Sequence, residues 1–205
     1  MIEEKKIRAS EAIEQLGKKI YGEKFSISDK DKKEVRDAYQ TTYQIFLKTF
    51  SDKFSKGVFV IGNVGTGKSA MMKVLQMLVK DTERRFKWVN AYELKDLSET
   101  QTSSEIKALY GANLKCDLYI DDIGFSADVK RYGNTINIIS EILMERYDLY
   151  ISSGYKTHIS TNIPTQLKDN PNKVPTIELI YGLRILDRIK EMCDLVVFKG
   201  NSLRK

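Results

Sequence analysis

Gly62, Gly67, Lys68 and Ser69 stand at the spacing G-x-x-x-x-G-K-S inside "VFVIGNVGTGKSAMM", residues 58 to 72. An apolar run enters a loop with three glycines, and apolar residues return at once after Ser69. A polyphosphate needs many donors at close range. Glycines let a backbone curl so that its N–H groups point inward, and a following helix adds the positive end of its dipole. Asn63, Val64, Gly65, Thr66 and Ala70 complete the cradle this spacing predicts. Lys68 would neutralise the β- and γ-phosphates, and Ser69 would hold Mg²⁺ through its hydroxyl. An ordinary glycine-rich turn is the competing reading. It does not explain why a strand pattern precedes the loop and an amphipathic helix pattern follows it.

Three further groups could serve such a site. In "LYIDDIG", Leu118, Tyr119 and Ile120 bury a strand and Asp121 emerges at its carboxyl end, the edge where parallel sheets bind ligands. Asp121 would hold Mg²⁺, through a water. Asp122 would orient or deprotonate an attacking water. In "HISTNIP", Asn162 closes another strand. Its amide can hold a lytic water near the γ-phosphate, or it can serve as plain turn chemistry. In "YGLRILDRIKEM", Arg184 and Arg188 lie four apart on one helical face. They are either surface residues paired with Asp187 or Glu191, or they supply an arginine finger reaching a neighbouring subunit's nucleotide.

The elements that must position these groups alternate along the chain. Strands are expected at "GVFVIG", "FKWVNA", "CDLYIDDIG", "YKTHISTN" and "CDLVVFKG". Helices are expected at "SAMMKVLQMLVKDTE", "AYELKDLSE", "SSEIKALYG", "NTINIISEILMERYDL" and "IELIYGLRILDRIKEM". Continuous apolar strands between helices argue for a parallel sheet covered on both faces, an α/β fold. Before this region, residues 8 to 20 place Ile13, Leu16 and Ile20 at helical spacing. A second helix from Ser28 or Asp29 to Phe54 carries Val35, Tyr39, Tyr43, Phe46 and Phe50 on one stripe. The second helix is read as packing on the core. The first either packs or serves as a partner-binding arm.

Composition narrows the class. With 41% hydrophobic and 30% charged residues, the 205-residue chain reads as an ordinary soluble domain. The charged start "MIEEKKIRAS" lacks the apolar core of a secretion signal, and no apolar stretch approaches the roughly 20 residues that span a bilayer. Cys116 and Cys193 read as reduced thiols and the single His158 as structural, so the expected location is cytoplasmic, with no membrane partner. A net charge of +6 is compatible with nucleic acid without requiring it.

Taken together, "GNVGTGKS", "YIDDIG", "INIISEILMERY", "HISTN", "YGLRILDRI" and "KGNSLR" resemble the AAA+ ATPases of the bacterial replicative helicase loader and insertion-sequence transposition helper group. The resemblance covers about residues 45 to 205. It implies a P-loop NTPase with a parallel five-stranded sheet in the order 5-1-4-3-2, flanked by helices. It divides the chain into a helical N-terminal extension, 1–50, and an ATPase domain, 51–205. It implies ATP and Mg²⁺ as cofactors, with Lys68 and Ser69 as the Walker A pair and Asp121 and Asp122 as the Walker B pair. Asn162 resembles sensor 1, and Arg188 the finger with Arg184 beside it. The chain ends at "GNSLRK", so no C-terminal helical lid is expected, and neighbouring subunits would complete the site.

The implied function is an ATP-driven switch that self-associates through ATP, binds single-stranded DNA and delivers a replicative ring helicase. The tail residues Lys199, Arg204 and Lys205 suit contact with phosphates. Three alternatives remain: a transposition helper that assembles on duplex DNA, a nucleotide-binding switch with little turnover, and a small-molecule kinase. The tandem acids and the Asn162 strand favour hydrolysis over transfer to an acceptor.

Overall fold

The structure is a computed structural model and describes residues 2–23, 25, 56–125, 128–131, 134–166, 175–198 and 202, with the backbone alone of 2–10, 128–131 and 134–136. The expected second helix, with its stripe from Val35 to Phe50, and the tail residues Lys199, Arg204 and Lys205 lie outside the described residues. Helix α1 is Ile2–Tyr21, followed by β1 (Gly57–Gly62), α2 (Lys68–Val79), β2 (Phe86–Asn90), α3 (Ala91–Thr100), α4 (Ser103–Tyr110) and β3 (Asp117–Ile123). Then come β4 (Asp128–Arg131), β5 (Asn134–Asn137), α5 (Ile138–Ser153), β6 (Thr157–Thr161), α6 (Ile177–Tyr181), α7 (Leu183–Met192) and β7 (Cys193–Phe198).

Five strands form one parallel sheet in the order β2-β3-β6-β1-β7. Counted along the chain within that sheet, this is the expected order 5-1-4-3-2. Because side chains alternate across a strand, each strand feeds two cores. On one face, Val58, Val60, Phe86, Tyr119, Val196 and Phe198 pack under α2 through Met71, Met72, Val74, Leu75 and Val79. On the other, Phe59, Leu118, Ile120 and Ile159 meet α3, α4, α5 and α7, with Leu94, Ile106, Ile142 and Leu186 among the contacts. Such continuous apolar strands, covered twice, are what a parallel sheet requires. Helix α1 joins the first core through Ile13, which is 1% exposed, with Leu16 and Ile20 beside it. The first helix therefore packs on the body, with its stripe turned inward.

Two expected elements differ. Residues 134–137, read as the start of a long helix, form β5, an antiparallel partner of β4. The helix begins only after Asn137, whose side chain accepts from the backbone N–H of Ser140 and caps it. The helix expected over 177–192 is two helices, because Gly182 sits at φ 83° and ψ 159°, a conformation open mainly to glycine. Among the described residues, no helix is long and apolar enough to cross a membrane.

Candidate nucleotide site

The loop between β1 and α2 carries Gly62, Asn63, Val64, Gly65, Thr66 and Gly67, and α2 opens with Lys68, Ser69 and Ala70. Gly65 and Gly67 have φ of 82° and 94°. The left-handed region is costly for any residue with a Cβ, so these two glycines set the curl of the loop. The first turn of α2 has no side-chain cap, whereas α3, α4, α5 and α6 are capped by Asn90, Thr102, Asn137 and Thr176. The N–H groups opening α2 thus lack a capping side chain, as an anion site requires. Lys68, only 7% exposed, donates to the carbonyls of Gly62 at 2.6 Å and Asn63 at 2.9 Å. Thr66 holds the loop from within, its hydroxyl donating to Asn63 O at 2.8 Å.

Across the sheet edge lies Asp121. It does not emerge at a strand end as expected. The strand runs on to Ile123, and Asp121 is 5% exposed. Ser69 Oγ donates to Asp121 Oδ1 at 3.0 Å, so the two expected metal ligands meet although 52 residues separate them. The same oxygen accepts from Tyr119 OH at 2.6 Å and Ser160 Oγ at 2.6 Å. Tyr119 and Asp121 are two apart on one strand and share the face under α2, and Ser160 reaches them from β6. Burial, with the negative charge of Asp121 next, pushes the Tyr119 phenol far above its usual range, so it stays a donor.

Asp122 is bent out of the ladder. The β3–β6 register shifts between Ile120 and Ile123, and Asp122 has φ 60°, left-handed for a non-glycine residue. Its N–H donates to Ser160 Oγ at 2.9 Å. A bulge of this kind re-aims a side chain at a strand end. It leaves Asp121 buried and Asp122 half-buried beside it. Gly124 follows, and Tyr181 on α6 ties this turn down: its hydroxyl accepts from Gly124 N at 3.1 Å and donates to Phe125 O at 3.0 Å.

Asn162 directly follows Thr161, which registers with Ile61 of β1 and Ile123 of β3, so the exposed amide sits at the same edge between loop and acids. The arginines are elsewhere. Arg184 is exposed on α7. Arg188 donates to the Met144 sulfur and lies 4.7 Å from the Tyr147 ring centre on α5. Neither pairs with Asp187 or Glu191, and neither bonds the loop or the acids, among the described residues. Glu191 instead accepts from the Tyr147 hydroxyl at 2.8 Å.

Several neighbours of the site were not expected. Tyr119 and Ser160 could have been found, because each lies two residues from a predicted site residue on an alternating strand. Tyr21, ending α1, has its phenol pushed up by burial and then by the charge of Asp121. Tyr92, 55% exposed, stacks on Phe125 at 4.1 Å and 19°, beside the carboxyl edge. Nothing short of tertiary structure pairs those two rings.

A hydroxyl and a carboxylate 3.0 Å apart are hard oxygen ligands, which suits magnesium. Among the described residues, no cluster of three or more His, Cys, Asp or Glu offers another metal centre. A glycine loop ahead of an uncapped helix, a lysine, and a buried acid across a 5-1-4-3-2 parallel sheet covered by helices define a P-loop α/β fold. Solved structures agree on that fold. The chain is similar to the DnaC helicase loader, with 23% identity, a TM-score of 0.53 and coverage of 82% of this chain and 92% of that one. It is similar to DnaI at 16% identity and TM-score 0.55, covering 88% of this chain and 91% of that one. It also matches AMPPCP-bound DnaA from Aquifex aeolicus at 17% identity and TM-score 0.52, covering 84% of this chain and 49% of that one. No family model matches the chain, and no curated protein matches it in sequence.

Proposed function

We propose that this chain binds and hydrolyses ATP and acts as a switch in loading a replicative ring helicase. The observation that carries the reading is the meeting of Ser69 with buried Asp121, below a loop whose Lys68 and α2 amides form a phosphate cradle. Lys68 would exchange its two carbonyl partners for phosphate oxygens. Magnesium held by Ser69 and Asp121 would neutralise charge on the triphosphate. Asp122, turned out by its bulge, would take the proton of the attacking water, and Asn162 would hold that water. The likeness of fold to the DnaC helicase loader and to DnaI supports the loading role, as does the resemblance of "YIDDIG", "HISTN" and "YGLRILDRI".

Arg188 would act on a neighbouring subunit's phosphates, with Arg184 beside it, so ATP would draw subunits together. Its place on α7, away from its own loop, supports a role in trans. The division into an N-terminal extension, 1–50, and an ATPase domain, 51–205, belongs to this proposal. Single-stranded DNA is the proposed ligand of the assembly. The exposed face of Tyr92, backed by Phe125, offers a surface on which a base can stack.

The test is a mixing experiment. Lys68→Ala is expected to abolish ATP binding. Asp122→Asn and Arg188→Ala are each expected to bind ATP without turnover. Mixed together, the last two should recover some ATPase activity, because one intact composite site forms at their junction. Absence of rescue would remove the trans finger, and ATP binding by Lys68→Ala would remove the site itself. Capture of a ring helicase from the native cell with ATP present would support loading. Capture of a transposase would favour a transposition helper.

A further inference from the structure

The carboxylate of Asp121 is held in a lopsided way. Three hydroxyls, from Tyr119, Ser160 and Ser69, all donate to Oδ1, and among the described residues no donor reaches Oδ2. We propose that Tyr119 and Ser160 are positioning residues, which lock Asp121 through one oxygen and so present its other oxygen to the magnesium ion of a bound triphosphate. This rests on the nucleotide reading above and deepens it.

The three donors are not equivalent. Ser69 belongs to the first turn of α2 and is exposed, so its hydroxyl is free to turn from the carboxylate to a metal. Tyr119 and Ser160 are both fully buried and cannot follow. The Tyr119 ring is clamped edge-on by Trp88 at 4.5 Å and 77°, and by Phe86 at 6.1 Å and 72°. Ser160 is fixed from the other side, because its oxygen also accepts from Asp122 N. When Ser69 leaves, two rigid donors stay on Oδ1. They keep the carboxylate from rotating, and they draw electron density from the oxygen that should not ligate. Ser160 also couples the two acids, since one hydroxyl orients the Asp121 carboxylate and holds the bent peptide that aims Asp122. Outer-sphere hydrogen bonds of this kind typically govern metal affinity by about 10–100-fold. The competing account is that Asp121 merely satisfies a core tyrosine.

The experiment follows a fluorescent ATP analogue by anisotropy, at fixed nucleotide, while Mg²⁺ is titrated. Wild-type protein, Tyr119→Phe, Ser160→Ala and Ser160→Thr are compared, and metal-free affinity is measured separately in EDTA. The half-saturating Mg²⁺ concentration should rise about tenfold or more in Tyr119→Phe and Ser160→Ala. Metal-free affinity should stay within about twofold of wild type, because the phosphate cradle is untouched. Ser160→Thr, which keeps the hydroxyl, should return the midpoint toward wild type. An unchanged midpoint in both deletions overturns the proposal, as does an equal loss of metal-free and metal-dependent binding. If Tyr119→Phe fails to fold, the Ser160 pair decides alone. If wild-type protein binds no nucleotide in a Mg²⁺-dependent way, the nucleotide reading falls and this inference falls with it. If wild type responds and the variants match it, only the inference falls.

Discussion

Strands β3 and β6 carry a buried polar cluster at each end, and the two ends are built differently. At the amino end, Arg146 is fully buried and spends its donors on four acceptors. Its Nε donates to Thr157 Oγ1 at 3.0 Å, and its remaining nitrogens to the carbonyls of Leu114, Cys116 and Lys156 at 3.1, 3.1 and 2.8 Å. Asp117 accepts from Lys156 N at 2.7 Å, and burial raises its carboxyl pKa. Burial pushes the Arg146 guanidinium down only to about 10, so it remains a cation. At the carboxyl end, Asp121 has one oxygen crowded with donors, and Lys68 rests on loop carbonyls. The first cluster is closed by the strand ends it joins. The second is held by fixed donors from Tyr119 and Ser160, and beside them by partners a ligand can replace, the Ser69 hydroxyl on Asp121 and the loop carbonyls on Lys68. Buried charge therefore does different work at the two ends, depending on whether every partner is fixed or some can be exchanged.

The sharpest way to break this contrast is at Arg146. Arg146→Ala leaves three carbonyls and a hydroxyl short of donors and should cost about 3–5 kcal/mol of stability, read by urea unfolding. A loss below about 1 kcal/mol would mean the amino-end cluster is no clamp. Next in size is Lys68→Ala, for which the two ends predict different readouts. ATP binding should disappear, while stability without nucleotide should fall by no more than about 1 kcal/mol, because water can satisfy the freed loop carbonyls. Unfolding of that variant on the scale of Arg146→Ala would make the carboxyl end structural as well.

The smallest effect is at His158, which lies between the clusters on β6. Its Nδ1 accepts from Val58 N at 3.2 Å, so the ring is neutral with its proton on Nε2. Burial, with Lys156 and Arg146 adding to it, lowers its pKa to about 3. The unfolded chain, with an ordinary histidine, then binds the proton that the folded chain refuses. Stability is full above the ordinary pKa and is lost as pH falls from about 6.5 toward 3. Between pH 6.5 and 5, wild type should lose about 2 kcal/mol that His158→Gln does not, as measured by urea unfolding across pH. Equal pH profiles would show that the ring is solvated.

The place of the glycine loop between β1 and α2 was legible residue by residue, because glycine spacing and a following lysine and serine are local facts. The strand carrying Asp121 was legible too, but the bulge at Asp122 was not. It depends on the register between β3 and β6, which no window of one strand contains. The hairpin β4–β5 was missed for a related reason. "NTIN" continues into an apolar helix pattern, and only its antiparallel partner shows where the strand ends. Gly182 inside "IELIYGLRILDRI" was an available signal, since a glycine within an apolar period can break a helix.

Residue types and their spacing decided that this chain folds as alternating strands and helices with a glycine loop after the first sheet strand. Those are short-range properties of backbone freedom and apolar period. The order of the five strands came with the family resemblance, since no spacing along the chain carries it. Only the tertiary structure decided that three hydroxyls from two strands and a helix converge on one oxygen of Asp121. It alone set Arg146 at the far end of the same strands and Arg188 on the outer helices. Those placements come from packing two cores onto one sheet, and packing joins residues without regard to their distance in sequence.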